Sequence, residues 1–326
     1  MAKENDNGVR EFQFQARDTS SNWQKFKRGI YNPETKEYLG RTPKNWGQLL
    51  IFYTIFYVIL AALFAICMQG LFATLIDNEP KYKLDESLIG TNPGLGFRPI
   101  SDRTEDGSLI WYNVTNATTV DKWVNLLDGF LEHYNKPQTG ENFVNCNFSQ
   151  SPPPGYVCVT DLSSQFGNCT PENKYGYNTN SPCIFLKLNR IFNWKPEFYT
   201  EPIEEMPKEL QDHILSLEPE EREQIWVTCQ GEDDIDKEMA NVFEYYPRGF
   251  AGYYYPYTNT KNYLSPLIAV RIRNPKPNII ITIECRAWAK NIEFRRGSLN
   301  RAGSVQFEIM VDTEYKPVII NASSTI

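Results

Sequence analysis

Residues 49–76 read LLIFYTIFYVILAALFAICMQGLFATLI, a run of 28 residues without a charge. A membrane-spanning helix needs about 20 apolar residues, because the hydrocarbon layer is about 30 Å thick. A single segment in lipid satisfies its backbone hydrogen bonds only as a helix. The run is longer, and lies further from the start of the chain, than the apolar core of a cleavable signal peptide. The sequence therefore predicts one transmembrane helix over 49–76 that serves as an uncleaved signal-anchor.

Positive charge is distributed unevenly around this helix. Six Lys or Arg residues lie between Lys25 and Lys44, whereas only Lys81, Lys83 and Arg98 follow closely. Because Lys and Arg near a span favour the cytoplasmic side, residues 1–48 are predicted to form a cytoplasmic tail. Residues 77–326 then form an extracellular domain, which makes a type II single-pass membrane protein.

The composition of the part after the span limits its partners. Its 250 residues contain 24 Lys or Arg against 34 Asp or Glu, a net charge of −10. This charge argues against nucleic acid or a heparin-like polyanion as a ligand. The length is sufficient for a sizeable hydrophobic core, in one elaborated domain or two small ones.

This topology divides the cysteines into one within the span and six beyond it. Cys67 lies within the span, where a small buried thiol is the simplest interpretation. Six others lie beyond it: Cys146, Cys158, Cys169, Cys183, Cys229 and Cys285. An even number in an oxidising compartment predicts three disulfides, although six cysteines allow fifteen connectivities, of which sequential pairing is the simplest. A zinc site is disfavoured, because the domain has no Cys-x-x-Cys and only two histidines, His133 and His213.

Five tripeptides fit the pattern for N-linked glycosylation, and all lie on the predicted extracellular side. Their asparagines are Asn113, Asn116, Asn147, Asn168 and Asn321. We expect some of them to carry sugar, and Asn113, Asn147 and Asn168 to be accessible to the lumenal glycosylation machinery.

The pattern of apolar residues predicts a mainly β domain with helices inserted between strands. A period of three to four residues predicts helices over 120–134 and 207–217, and the proline-rich and glycine-rich stretch 79–108 is predicted to form an extended stalk and loops. Six strand-like runs are 156–160, 183–188, 225–230, 267–272, 279–287 and 304–311. Short strands with paired cysteines predict an antiparallel β-sandwich.

Two segments suggest partners for the tail and the span. Phe52 with Phe56, and Tyr53 with Tyr57, are four residues apart, so each pair lies along one helix face. Another face carries Thr54, Ala61, Ala65 and Gln69. Small and polar residues permit close contact between helices in lipid, so the helix is predicted to bind another helix. Before the span, the aromatic and apolar residues of 23–39 indicate either a partner or contact with lipid headgroups.

Several motifs occur in the order and spacing of one known family. They are residues 31–42, Phe52-Tyr-Thr-Ile-Phe-Tyr57, Pro182-Cys-Ile-Phe-Leu-Lys-Leu-Asn-Arg190, Tyr254-Tyr-Pro-Tyr257, Tyr263-Leu-Ser-Pro-Leu-Ile-Ala-Val270 and Ile283-Glu-Cys-Arg-Ala287. Through them nearly the whole chain resembles the beta subunit of the sodium/potassium-transporting ATPase, in particular an invertebrate member. The chain departs from the family pattern after Tyr257, where Thr258 to Lys261 replace the usual Tyr-Gly-Lys.

The resemblance implies a set of specific expectations. The disulfides would join Cys146 with Cys158, Cys169 with Cys183, and Cys229 with Cys285, in an immunoglobulin-like sandwich. The protein would be a noncatalytic plasma-membrane subunit without a cofactor. It would bind the alpha subunit of a P-type ATPase and membrane lipid, assist maturation and delivery of the alpha subunit, and modulate cation affinity. The expected partner interface comprises Phe52, Tyr53, Phe56, Tyr57, Gln69, Tyr254, Tyr255, Pro256 and Tyr257.

Three alternatives remain open at this point. The beta subunit of a proton/potassium pump shares the same features. A type II glycosyltransferase shares the topology, and Asp234-Ile-Asp236 has the spacing that holds a divalent cation, although the acidic run around it is more simply a solvated surface. Adhesion to another cell surface is compatible with the subunit hypothesis.

Overall fold

The structure, a computed structural model, describes residues 21–33, 35–160, 166–297 and 301–313. All of the tail before Ser21, and Asn321 near the end of the chain, lie outside the described residues. The chain divides into one compact unit that ends at Leu75 and a second that begins at Ile76.

The described residues contain five helices and thirteen strands. The helices are α1 (Asn22–Ile30), α2 (Pro43–Phe72), α3 (Ala117–Asn135), α4 (Lys208–Ser216) and α5 (Asp234–Met239). The first seven strands are β1 (Tyr31–Asn32), β2 (Glu37–Tyr38), β3 (Leu95–Arg98), β4 (Leu109–Asn113), β5 (Phe143–Val144), β6 (Val157–Cys158) and β7 (Cys183–Leu188). The others are β8 (Gln224–Gly231), β9 (Phe243–Tyr246), β10 (Gly249–Ala251), β11 (Ile268–Ile272), β12 (Ile280–Trp288) and β13 (Ser304–Asp312).

The first unit is dominated by α2, which is long and apolar enough to cross a membrane. Its 30 residues extend over about 45 Å at the helical rise. The helix begins six residues before the uncharged run, because Pro43 occupies its first turn and the Thr42 hydroxyl accepts the N–H of Asn45. It ends at Phe72, four residues before the predicted end, where the Thr74 hydroxyl donates to the carbonyl of Leu71. The absence of charge therefore identified the apolar run, whereas hydrogen bonds at the two ends determine where the helix begins and ends.

The second unit is a sandwich of two sheets, which confirms the mainly β fold class. One sheet has the strand order β10-β8-β12-β13-β4, and the other has β3-β7-β11-β9. All neighbours in these two sheets are antiparallel except β13 and β4, which are parallel. The second sheet is entirely antiparallel as expected, and the first departs from the expectation at one edge.

The core lies between the two sheets, where alternate side chains of each strand meet. In β12, for example, Ile281, Ile283 and Cys285 are almost completely buried. The rings of Phe97 in one sheet and Phe307 in the other stack with their centroids 5.0 Å apart. Burial of this apolar surface is the main force that holds the sheets together.

Helix α3 is one of the predicted insertions, and it packs through a single apolar side. The buried residues of the helix are Val120, Trp123, Val124, Leu127 and Leu131. The indole N–H of Trp123 donates to the carbonyl of Trp111 at 2.7 Å, which fastens the helix to β4. The apolar spacing predicted this helix, which begins three residues earlier than expected because the Asn116 side chain caps it by accepting the N–H of Thr118.

The structure corrects the prediction of an extended stalk over 79–108. This stretch contains β3, in which Leu95 and Phe97 point into the core. The sequence did not reveal the strand because it is four residues long and is formed by pairing with β7, which is about 90 residues further along the chain.

Three disulfides join the six cysteines of this unit in the pairs that the resemblance implies. They connect Cys146 with Cys158, Cys169 with Cys183, and Cys229 with Cys285. The last joins directly opposite residues of β8 and β12, at the centre of the five-stranded sheet. Beside it the buried hydroxyl of Tyr245, on the other sheet, lies 2.7 Å from the N–H of Cys229. Burial raises the pKa of Tyr245 to about 12, so the phenol stays neutral at physiological pH.

Replacing Cys229 and Cys285 together by serine should destabilise the second unit. The cysteines are 56 residues apart, and opening a loop of this length costs up to about 4 kcal/mol of unfolding free energy. We expect a lower Tm for the purified full-length protein and less of it at the cell surface. The matched control is Cys67→Ser, because Cys67 forms no disulfide and is exposed on α2. Equal Tm and equal surface delivery for the two proteins would contradict this account.

Candidate partner-binding surfaces

Four aromatic rings form a continuous patch on the surface of α2. Phe52 stacks on Phe56 with ring centroids 6.3 Å apart, and Tyr53 stacks on Tyr57 at 6.1 Å. Edge-to-face contacts of 5.5 and 5.4 Å connect the two columns. Each ring is about half exposed or more, and no residue of α2 is buried within the unit. The patch is therefore a preformed surface with its outer side open.

Gln69 lies apart from this aromatic patch. At about 100° per residue, its position on the helix is about 160° around the axis from Tyr53. The side chain of Gln69 is exposed. Thr54 lies on the same side as Gln69. Its hydroxyl donates to the carbonyl of Leu50 at 2.8 Å, so the hydrogen bond that this hydroxyl donates is made within the helix. The structure thus assembles the four rings and leaves Gln69 on a different face.

The tyrosine-rich segment Tyr254 to Tyr257 lies in the second unit and is mostly packed inward. Tyr254 is only 8% exposed, beside Cys158 and Ala251. The ring of Tyr255 meets the edge of Trp194 at 5.9 Å. Burial raises the pKa of both tyrosines above the ordinary value, which keeps the phenols neutral. Their rings stabilise the domain, so within this segment Pro256 and Tyr257 are better placed to meet a partner.

Arg190 fixes the outer part of this segment. Its Nε donates to the hydroxyl of Ser265 at 2.9 Å, and one terminal nitrogen donates to the carbonyl of Tyr263 at 3.3 Å. The same guanidinium lies over the rings of Tyr257 and Tyr263, at 5.3 and 5.1 Å from their centroids. The sequence placed Arg190 within a family motif but gave no signal for this contact.

A cleft of about 400 Å³ brings Tyr257 next to the start of the second unit. Its wall includes Asp77, the fifth residue after α2, together with Arg190 and Phe192. Ile89 also lines the cleft and is 85% exposed. Sequence reasoning missed this surface, because it depends on contacts between segments about 110 residues apart.

The predicted glycosylation sites differ in exposure. Asn147 and Asn168 are exposed, whereas Asn116 is half-buried at the start of α3. Asn113 is only 5% exposed, and its side-chain oxygen accepts from both the N–H and the hydroxyl of Thr115. Occupancy of these sites stays a prediction, with Asn147 and Asn168 the best placed to carry a glycan in the folded domain.

The Asp234-Ile-Asp236 motif lies on the short helix α5. The Lys237 ammonium pairs with the Asp234 carboxylate at 2.8 Å, and the side chain of Asp234 is almost fully exposed. Over the part of the chain that the structure describes, no three His, Cys, Asp or Glu residues are grouped to hold a metal ion. The motif thus lies in an exposed acidic segment, in which Asp234 is paired with Lys237 of the same helix.

Comparison with known proteins places these features in one family. A family model described as the sodium/potassium ATPase beta chain matches residues 16–307. The sodium/potassium-transporting ATPase subunit beta-1 of Drosophila melanogaster is 49% identical over 316 residues, or 96% of this chain and 100% of the fly protein. The human subunit beta-2 is 31% identical over 306 residues, or 89% of this chain and 94% of the human protein. The chain therefore belongs to the family of sodium/potassium ATPase beta chains.

Proposed function

We propose that the chain is the noncatalytic beta subunit of a sodium/potassium-transporting P-type ATPase. It binds the alpha subunit of the pump, supports its maturation and delivery to the membrane, and adjusts its affinity for cations. The observation that carries the proposal is the family match over 16–307, which includes α2 and nearly all of the two-sheet domain. ATP hydrolysis and ion binding belong to the alpha subunit.

Within the membrane, the aromatic patch of α2 is the proposed contact with the alpha subunit. Phe52, Tyr53, Phe56 and Tyr57 present a preformed surface that gives large contact area with little loss of side-chain freedom. Hydrogen bonds between helices in membranes contribute only about 0.6 kcal/mol on average, so ring packing supplies most of the association. Gln69, on another face, would find a hydrogen-bond partner in a second helix of the alpha subunit.

Outside the membrane, the proposed contact uses Tyr257 and the cleft beside it. Arg190 holds Tyr257 in place, so little conformational entropy is lost on binding. The buried rings of Tyr254 and Tyr255 act indirectly, by supporting the segment from within. A subunit that makes such contacts more favourably in one state of the pump shifts the equilibrium between states, and cation affinity shifts with it.

The proposed topology is that of a type II plasma-membrane protein. Residues 1–48 lie in the cytoplasm, 49–76 contain the span, and 77–326 are extracellular. The excess of Lys and Arg before the span supports this orientation. The three disulfides of the second unit support it independently, because disulfides persist in oxidising compartments.

Affinity purification in mild detergent tests the proposed function. Tagged full-length protein should recover an ATPase alpha chain in a one-to-one complex, and sodium with potassium should stimulate its ATP hydrolysis. Recovery without an alpha chain would contradict the proposal. Stimulation by potassium without sodium would instead support the proton/potassium pump.

Replacing Tyr53 and Tyr57 together by leucine tests the aromatic patch in the same assay. Loss of about 1 kcal/mol of ring packing weakens association about fivefold, so less alpha chain should be recovered. The matched control is Ile51→Leu with Val58→Leu, which adds the same side chains on the opposite side of α2. Equal recovery with the two double variants would exclude the patch as the binding face.

Enzymatic deglycosylation tests the proposed topology. Protein from a eukaryotic membrane should gain gel mobility when treated, and Asn147→Gln and Asn168→Gln should each remove part of this change because both sites are exposed. Asn113→Gln serves as the comparison, since Asn113 is buried and its loss should alter mobility least. No change in mobility on treatment would contradict an extracellular second unit.

A further inference from the structure

Helix α1 carries three large apolar side chains that no described residue of its unit covers. Trp23, Phe26 and Ile30 are 63%, 58% and 46% exposed. Their spacing of three and four residues places them on one side of the helix. The rings of Trp23 and Phe26 stack at 5.7 Å, so this side is a continuous apolar strip.

A short hairpin connects this strip to the start of the span. Strands β1 and β2 pair antiparallel, and the rings of Tyr31 and Tyr38 lie 4.7 Å apart. The N–H of Leu39 donates to the carbonyl of Ile30, the last residue of α1. The indole N–H of Trp46 in the first turn of α2 donates to the carbonyl of Tyr38 at 2.8 Å. These bonds keep α1 close to the end of the segment that enters the membrane.

The charge of this region is strongly positive. Residues 21–48 contain six Lys or Arg and two Glu. Lys27 lies with its ammonium 5.6 Å from the centre of the Trp23 ring, and Arg41 lies over Trp46 at 5.9 Å. Cations and aromatic rings at one level are typical of segments that bind the interface of a bilayer.

We propose that α1 is a membrane-surface anchor that binds anionic phospholipid. Trp23, Phe26 and Ile30 enter the boundary between headgroups and acyl chains, and Lys27, at the edge of this strip, meets the negative headgroups. Three features favour lipid over a protein partner: the apolar strip, the excess of positive charge, and direct continuity with a membrane-spanning helix. The span would then have a second point of attachment that fixes its depth and rotation in the bilayer.

A fluorescence experiment on the full-length chain tests this proposal. Phe26→Cys and, as the matched control, Gln24→Cys carry an environment-sensitive dye, both in a Cys67→Ala background. Each protein is reconstituted into phosphatidylcholine vesicles with or without phosphatidylserine, together with a lipid spin-labelled near the headgroup. The dye at position 26 should be quenched and blue-shifted, most strongly with phosphatidylserine and less at high salt. The dye at position 24, on the polar side, should be quenched less.

A charge variant provides a second test, because Phe26→Cys removes one apolar side chain of α1 and can itself weaken membrane binding. Lys27→Gln, added to Phe26→Cys, should weaken docking about fivefold, the contribution of one basic residue near the surface. Normal glycosylation of the same protein would show that the rest of the chain folds. Equal quenching at positions 24 and 26, or quenching independent of phosphatidylserine, would overturn the proposal. A blue shift at position 26 that appears only when the alpha subunit is added, without quenching by the labelled lipid, would assign the strip to protein contact and overturn the proposal as well.

Discussion

A segment inside a bilayer has no water with which to pair its backbone groups, so it must satisfy them within itself. This requirement makes the uncharged run of residues a helix and divides the rest of the chain between two solvents. The tail on one side has an excess of basic residues, whereas the domain on the other side is acidic and cross-linked by three disulfides. This constraint therefore sets the membrane class of the chain, and the distribution of charge and disulfides supports the proposed orientation.

The two-sheet domain and the span contribute to function without a chemical step. The Cys229–Cys285 disulfide joins two neighbouring strands of one sheet, and the Tyr245 hydroxyl reaches across from the other sheet to the N–H of Cys229, so the domain is a firm body. On this domain the Arg190 guanidinium lies over the Tyr257 ring and holds it in place. In α2 the aromatic patch is equally preformed, because the rings pack on one another along the helix. Rigid surfaces favour one partner state over another at small entropic cost, which is what a modulating subunit requires.

The sequence predicted those elements whose signal is local. Strand β7 was predicted with its observed ends, and β12 and β13 to within one residue, because their apolar residues form dense runs between turn residues. Strands β3, β9 and β10 were not predicted, because each is four residues or shorter and is defined by a partner strand. The parallel pairing of β4 with β13 joins residues about 200 positions apart, and no local pattern contains that information.

The residues of the candidate site also differ in whether a local sequence pattern could predict their placement. Spacing along a helix was enough to place Phe52, Tyr53, Phe56 and Tyr57 together. The sequence does not show which side chains of a loop are buried, so it did not distinguish Tyr254, which points inward, from Tyr257, which is less buried. Family resemblance supplied the disulfide pairing that composition left open among fifteen arrangements.

The central claim is that the aromatic patch of α2 contacts the pump's alpha subunit within the membrane. Site-specific photocrosslinking measures this most directly, with benzoylphenylalanine placed at Tyr57 or at Val58 of the full-length chain in native membranes. Because Val58 points about 100° away from Tyr57 on the helix, the two probes sample different surroundings in the same segment. The account predicts a stronger covalent adduct with the alpha chain from position 57 than from position 58, whose side of α2 also carries Gln69. An adduct from position 58 alone, or none from either position, would contradict it.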